Sequence, residues 1–198
     1  VSASEDRTLK VWRLDTGALQ HTLRGHAAGV TTLAVLDDSG LIVSGSADHT
    51  LRVWDLESGR LVNTLPGHQG AIRSMAVSPI NRCLVSGSED RTIRLWDITD
   101  WKLRAELTGH GASVRHLAAS PLGGHVVSAA DDHTIRVWDA QDGEVLNEFK
   151  AHQGEIRALD LWDDDRYALS AGDDHALFLW DLASGERLAS HYSDVPIT

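Results

Sequence analysis

The sequence predicts an all-β protein assembled from small four-stranded antiparallel sheets, and two observations predict it. Trp12, Trp54, Trp96, Trp138 and Trp180 recur at intervals of 42 residues, and four of the five precede an Asp; His26, His68, His110 and His152 stand 14 residues after the first four, three of them preceded by Gly. Each period also breaks into short β-branched and apolar runs separated by turn residues, with Gly or Pro about every ten positions and no apolar stripe at helical spacing. Self-similarity at ~40–45 residues with such internal punctuation is what one repeated sheet produces.

One period shows each element in turn. Residues 30–35 are β-branched and apolar and read as a first strand, closed by the turn cluster Asp37, Asp38, Ser39 and Gly40. A second strand follows over residues 41–46, a turn over 47–49, a third strand over 50–55, a turn over 57–59 and a fourth strand over 60–65. Four strands of this length joined by tight turns make one twisted antiparallel sheet. Such a sheet cannot bury both faces by itself, so the units must stack on one another. The order recurs from Gly67, Gly109 and Ala151, which divides the chain into a partial unit at 1–25, full repeats at 26–67, 68–109, 110–151 and 152–193, and the start of a further unit at 194–198. Five periods of 42 would need 210 residues, twelve more than the 198 present, and Val1 stands where an intact chain would begin with Met. The expectation is therefore a piece of a larger ring, needing further blades or another copy to close.

Repeats with Gly-His early and Trp-Asp late resemble those of the WD-repeat β-propellers, and the resemblance covers essentially the whole chain. It implies a propeller of four complete blades plus a partial one, cut from a ring of about seven. It also implies a role for the residues that look most like chemistry. Each full unit holds a His, a Ser, an Asp and a Trp: His26, Ser44, Asp48 and Trp54; His68, Ser86, Asp90 and Trp96; His110, Ser128, Asp132 and Trp138; His152, Ser170, Asp174 and Trp180. Three of these types make a hydrolase triad, but a catalytic centre needs one such set beside an oxyanion site, and four copies in register point to structure. In the resembled family they form a buried hydrogen-bond chain in which the indole N–H finds its acceptor. The partial unit keeps Ser2, Asp6 and Trp12 without an upstream His. His49, His133 and His175 follow the turn Asp of their units and could suggest a metal, yet each lies in a different blade, so no metal site or cofactor is expected.

Composition narrows the partner. A net charge of −11 opposes a phosphate backbone, so nucleic acid is not expected as partner. No run approaches the ~20 apolar residues of a membrane span, and a single cysteine, Cys83, fits a reducing, cytoplasmic setting. Proteins or peptides remain. In the resembled family, the loop before the inner strand and the turn holding the Asp open on one partner-binding face. Thr31, Arg73, Arg115 and Arg157 fall in that first segment, with Gly29, Ala71, Ser113 and Glu155 two residues earlier; Ala47, Glu89, Asp131 and Asp173, with Glu5 in the partial unit, fall just before the turn Asp. Three Arg beside three acids would form a mixed-charge collar, either gripping a partner or pairing only with one another.

Two tryptophans and the last unit break the pattern. Trp101 takes the turn position of Gly17, Gly59, Gly143 and Gly185, and Trp162 precedes the acidic run 163–165; both are expected to cover the edge of their own blade. His191 replaces the apolar Leu23, Leu65, Leu107 and Phe149, which predicts a weaker or differently paired last strand. The function expected is a non-catalytic protein-interaction module. Near-uniform units and 15 Arg against 3 Lys resemble propellers attached to bacterial NACHT-type or related nucleotide-switch (STAND-type) proteins, which implies a sensor in signalling or defence. A eukaryotic scaffold or ubiquitin-ligase substrate receptor is the alternative, and a hydrolase the remote one. No Walker-type phosphate loop occurs in these residues to decide between them.

Overall fold

A computed structural model describes residues 1–78, 80–162 and 166–194. The first sheet has three strands, β1 (Ser2–Ala3), β2 (Thr8–Trp12) and β3 (Leu19–Arg24). The second runs β4 (Val30–Leu36), β5 (Leu41–Ser46), β6 (Leu51–Asp55) and β7 (Leu61–Leu65), and the third β8 (Ile72–Ser78), β9 (Cys83–Ser88), β10 (Ile93–Asp97) and β11 (Leu103–Leu107). The fourth comprises β12 (Val114–Ala119), β13 (His125–Ala130), β14 (Thr134–Asp139) and β15 (Val145–Lys150); the fifth comprises β16 (Ile156–Trp162), β17 (Tyr167–Gly172), β18 (Ala176–Asp181) and β19 (Arg187–Tyr192). Every sheet is an antiparallel meander with its strands bonded in sequence order. A single 3-10 turn, Asp37–Ser39, is the helical element among the described residues, and Gly40 closes it in the left-handed region.

The sheets stack in chain order through one repeated interface. Val43, Leu51, Val53 and Leu65 of the second sheet meet Ile72, Leu84 and Trp96 of the third. Val85, Ile93, Leu95 and Leu107 meet Val126 and Trp138, and Val127, Ile135 and Val137 meet Phe178 and Trp180. Leu9, Val11 and Leu23 of the first sheet pack in the same way on Ile42 and Trp54. Trp54, Trp96, Trp138 and Trp180 thus each belong to one sheet and are buried by its predecessor, which is why the period is set by tryptophan: a large apolar ring carries most of the area at the joint. Inner strands β4, β8, β12 and β16 lie side by side in that order. The described sheets do not close into a barrel; they form four full blades and a three-stranded one, the partial propeller that the repeat count predicts. At the two outermost faces the apolar residues are less covered. Trp12 is 40% exposed where Trp54 is 2%, and Leu169 is 38% exposed where Val127 is 0%.

Two bulges recur. The third and fourth strands slip register at the Trp of every sheet, from Val11/Trp12 to Leu179/Trp180. The inner strand slips where Val30 pairs with Ser46 but Thr32 pairs with Gly45, leaving Thr31 without an opposite residue; the same happens at Arg73, Arg115 and Arg157. A bulge adds a residue to one strand and turns its side chain away from the ladder. Of the two expectations for the last outer strand, different pairing does not occur: β19 pairs with β18 in the usual register and with the usual bulge, although β19 is exposed along its whole length. Backbone donors and acceptors fix that ladder, and the exposed side of β19 tolerates a polar side chain. Residues 195–198, part of the expected further unit, and the acidic run 163–165 lie outside the described residues.

Candidate functional site

The repeated His, Ser, Asp and Trp come together in every full unit. In the first of them the Trp54 indole N–H donates to Ser44 Oγ at 2.9 Å, the Ser44 hydroxyl donates to His26 Nε2 at 2.8 Å, and His26 Nδ1–H donates to Asp48 at 2.8 Å. A carboxylate only accepts, so the proton must sit on Nδ1, and Nε2 is left to accept from the serine. The same chain joins Trp96, Ser86, His68 and Asp90 at 2.9, 2.8 and 2.9 Å. It recurs at Trp138, Ser128, His110 and Asp132, and at Trp180, Ser170, His152 and Asp174. In the partial unit Trp12 still donates to Ser2 Oγ at 3.0 Å, at an exposed site.

Burial sets the chemistry of these chains. It pushes the pKa of His26, His68 and His110 down, outweighing the attraction of the neighbouring Asp, so each imidazole is neutral. Burial also works against ionisation of Asp48 and Asp90. The threonine hydroxyls, backbone N–H groups and histidines that donate to the two carboxylates outweigh it and hold both at about 2. The four serine hydroxyls are at most 1% exposed, each wedged between an indole and an imidazole. They have the connectivity of a triad but lie out of reach of a substrate carbonyl, so these sets fasten the loop before the inner strand to the third strand.

The turn that follows each Asp needs a left-handed residue. Arg7, His49, Arg91, His133 and His175 all have φ between 63 and 71° there, so the three histidines occupy a turn position in separate blades. Among the described residues no cluster of metal-ligating side chains occurs.

On the same face lies the collar. Arg73 donates through Nε to Glu89 at 2.9 Å, Arg115 to Asp131 at 2.8 Å and Arg157 to Asp173 at 2.7 Å. Arg115 also lies 3.9 Å from Glu89 of the preceding blade, and Arg157 3.1 Å from Glu155. The acids are placed by backbone bonds, Glu89 N–H to Ala71 O, Asp131 N–H to Ser113 O and Asp173 N–H to Glu155 O, each 2.9 Å. Charges therefore alternate around the inner ends of three successive sheets, on side chains about one quarter to one half exposed. Thr31 does not extend the alternation: its hydroxyl donates to the Gly45 and Ile72 carbonyls, and Ala47 offers it no acid. The bulge is what aims each arginine here, and strand alternation alone did not reveal it.

Trp101 packs on the core between the second and third sheets, in a left-handed conformation with φ 59°. Trp162 does not cover its blade; it is 63% exposed, flanked by Tyr167 at a ring distance of 6.1 Å. Among the described residues little stands over the indole, whereas the corresponding Ser78 and Ser120 are small enough to be enclosed. Two arrangements were not anticipated. Arg52, Arg94 and Arg136 lie against the glycine that precedes each His, and His116 Nε2 donates to the Ile156 carbonyl across sheets at 2.9 Å. The first had a signal within the repeats, because the unit that loses the Gly also loses the Arg.

A comparison with curated proteins finds no match. The family described as WD domain, G-beta repeat matches residues 17–55, 59–97, 101–139 and 143–181. Each matched unit takes the outer strand of one sheet and three strands of the next, for example β3 through β6, so neighbouring blades are tied together by shared repeats. With four repeats matched over most of its length and the Trp, Ser, His and Asp of each joined as described, the chain belongs to the WD repeat family.

Proposed function

We propose that this chain is a non-catalytic protein-interaction scaffold whose partner docks on the face carrying the bulge arginines. WD repeats in general mediate protein interactions. The observation that carries the location is the alternation of Arg73, Glu89, Arg115, Asp131, Arg157 and Asp173 around three consecutive inner strands. Arginine presents a planar fork that can be shared between an internal acid and a partner carboxylate, and half-exposed pairs can exchange partners at small cost. The rigid joints below keep the six groups in place, so little ordering cost falls on binding. The finer reading is a sensor or partner-recognition region of a larger, cytoplasmic bacterial signalling or defence protein with a nucleotide switch. The near-uniform 42-residue units and 15 Arg against 3 Lys support it. Neither nucleic acid nor membrane is proposed as partner.

Affinity capture with the immobilised chain, followed by quantitative binding of the purified partner, tests the location. The triple variant Arg73→Glu, Arg115→Glu, Arg157→Glu should lose binding while keeping its fold. Unchanged binding by the folded variant would reject the collar. A P-loop in the parent reading frame is the result expected for the sensor; an adaptor-binding motif there would reject it.

A further inference from the structure

The fifth sheet opens a second site at the rim of the same face. In the three preceding sheets, the position two residues before the Trp is an arginine, and two of these pair with a glutamate on the outer strand: Arg94 with Glu106 at 2.6 Å and Arg136 with Glu148 at 2.9 Å. In the fifth sheet Phe178 replaces the arginine, Ser190 replaces the glutamate opposite it, and Ala176 replaces the threonine that elsewhere donates to the turn Asp. The changes concentrate in one unit and together remove an internal cation–acid pair. What remains is a cavity of 370 Å³ lined by Lys150, His152, Asp174, Phe178, Arg187 and Tyr192.

Its walls have a definite chemistry. Phe178 stacks on His152 with ring centres 4.6 Å apart and 24° between planes, and Tyr192 meets it edge-on at 6.0 Å. The Arg187 guanidinium lies 4.6 Å above the Phe178 ring. Arg187 stands where Leu61, Leu103 and Val145 stand in the other sheets. Among the described residues neither Arg187 nor Lys150 has a carboxylate partner, in a chain of net charge −11. Asp174 carries one negative charge at the cavity's edge, where His152 Nδ1–H, Gln153 N–H and Ala176 N–H donate to it, so the two cations stand against one carboxylate and leave a net positive charge. Phe178 is buried between these groups, so the aromatic surface open to a ligand is Tyr192, and that ring beside two cations is complementary to a carboxylate carried next to a flat apolar group. The cavity falls in the size range of ligand pockets, about 300–1,000 Å³.

We propose that this cavity holds an acidic, aromatic segment of a partner protein, with the carboxylate on Arg187 and Lys150 and the ring against Tyr192. It rests on the protein-interaction reading and adds a second contact, distinct from the collar. The probe is N-acetyl-phenylalaninate, titrated into the full chain while backbone amide resonances are followed, with N-acetyl-phenylalaninamide as the neutral control. Saturable shifts centred on Ala151, Gln153 and Tyr192 are expected, about tenfold weaker or more for the amide. The same loss is expected for the exposed double variant Arg187→Gln, Lys150→Gln, and for Ser190→Glu, which restores an internal acid opposite Phe178. No saturable shift, or equal shifts with the amide or in the variants, overturns the proposal. A silent cavity in a chain whose partner still binds through the collar overturns this site alone and leaves the collar standing.

Discussion

The guanidinium of Arg94 occupies the space that a side chain on Gly67 would need. Gly67 has φ 148°, and a Cβ built there would run into Arg94 Nη1 and approach its Cζ to 3.0 Å. Gly109 and Arg136 repeat the arrangement, with φ 152°. In the fifth unit, where Phe178 replaces the arginine, Ala151 replaces the glycine and its φ is no longer positive. The Gly of the Gly-His pair therefore serves two needs, a backbone conformation open to glycine and room for the arginine of the third strand.

Gly67→Ala should accordingly destabilise the chain by about 2–3 kcal/mol, since strained φ alone costs of order 1–3 kcal/mol. Much of that cost should depend on Arg94. The double variant Gly67→Ala, Arg94→Phe reproduces the fifth unit's pairing, so a double-mutant cycle by urea unfolding should give a favourable coupling above about 0.5 kcal/mol. Strict additivity would show that the contact does not constrain the glycine.

Ser86 offers a sharper contrast with Ser2. Ser86→Ala leaves the buried Trp96 N–H without an acceptor and His68 Nε2 without a donor. Each orphaned buried group costs ~1–3 kcal/mol, so a loss of about 2–4 kcal/mol is expected. Ser2→Ala removes the same bond to Trp12 at an exposed site, where water replaces it, and should change stability by less than about 0.5 kcal/mol. Equal effects by chemical denaturation would mean that burial does not set the value of these chains.

The fold was legible because tryptophan spacing, turn residues and short apolar runs all reported the same unit. Strands expected at 50–55 and 60–65 are Leu51–Asp55 and Leu61–Leu65. The residues of the four polar chains were legible for the same reason: their offsets from Trp repeat. The bulges at Arg73, Arg115 and Arg157 were not, because a bulge is defined by the pairing of two strands and the apolar pattern of either strand alone does not record it. Exposure of Trp162 was hidden likewise; indole size predicts burial, and only its surroundings among the described residues show it 63% exposed. The collar was readable as residues, but not as geometry. Sequence placed three arginines near three acids, and the ladder showed why their forks converge.

Arg115→Gln tests how much the collar contributes to the fold itself. Its pairs with Asp131 and Glu89 involve side chains 25–37% exposed, where screening and side-chain entropy leave ~0–1 kcal/mol per pair. The unfolding midpoint should move little, and should move less still in high salt. A loss of several kcal/mol would make the collar a structural clamp and remove its freedom to exchange partners.

Acid should unfold the chain in two stages, and the sign follows from the buried imidazoles. His26, His68 and His110 have pKa values lowered by burial, so on acidification the unfolded chain takes up protons first. Unfolding then consumes protons, and stability falls as pH drops below about 6.5, each histidine contributing at most about 1.4 kcal/mol per pH unit until it protonates in the folded state. Asp48 and Asp90 act lower down. With folded values of about 2 against an ordinary 3.8, their contribution is complete above 3.8 and is lost as pH falls from there toward 2. Urea midpoints measured from pH 8 to pH 3 should be level at the alkaline end, decline below 6.5 and decline again below 4. Protonating His68 would also place a proton on Nε2, facing the Ser86 hydroxyl, and force that serine to turn away. His68→Gln should therefore lower stability at pH 8 yet flatten the first decline by about one proton's share. A midpoint that rises between pH 7 and pH 5 would show that these three histidines are held charged in the folded state, and would reverse the donor order assigned to the chains of His26, His68 and His110.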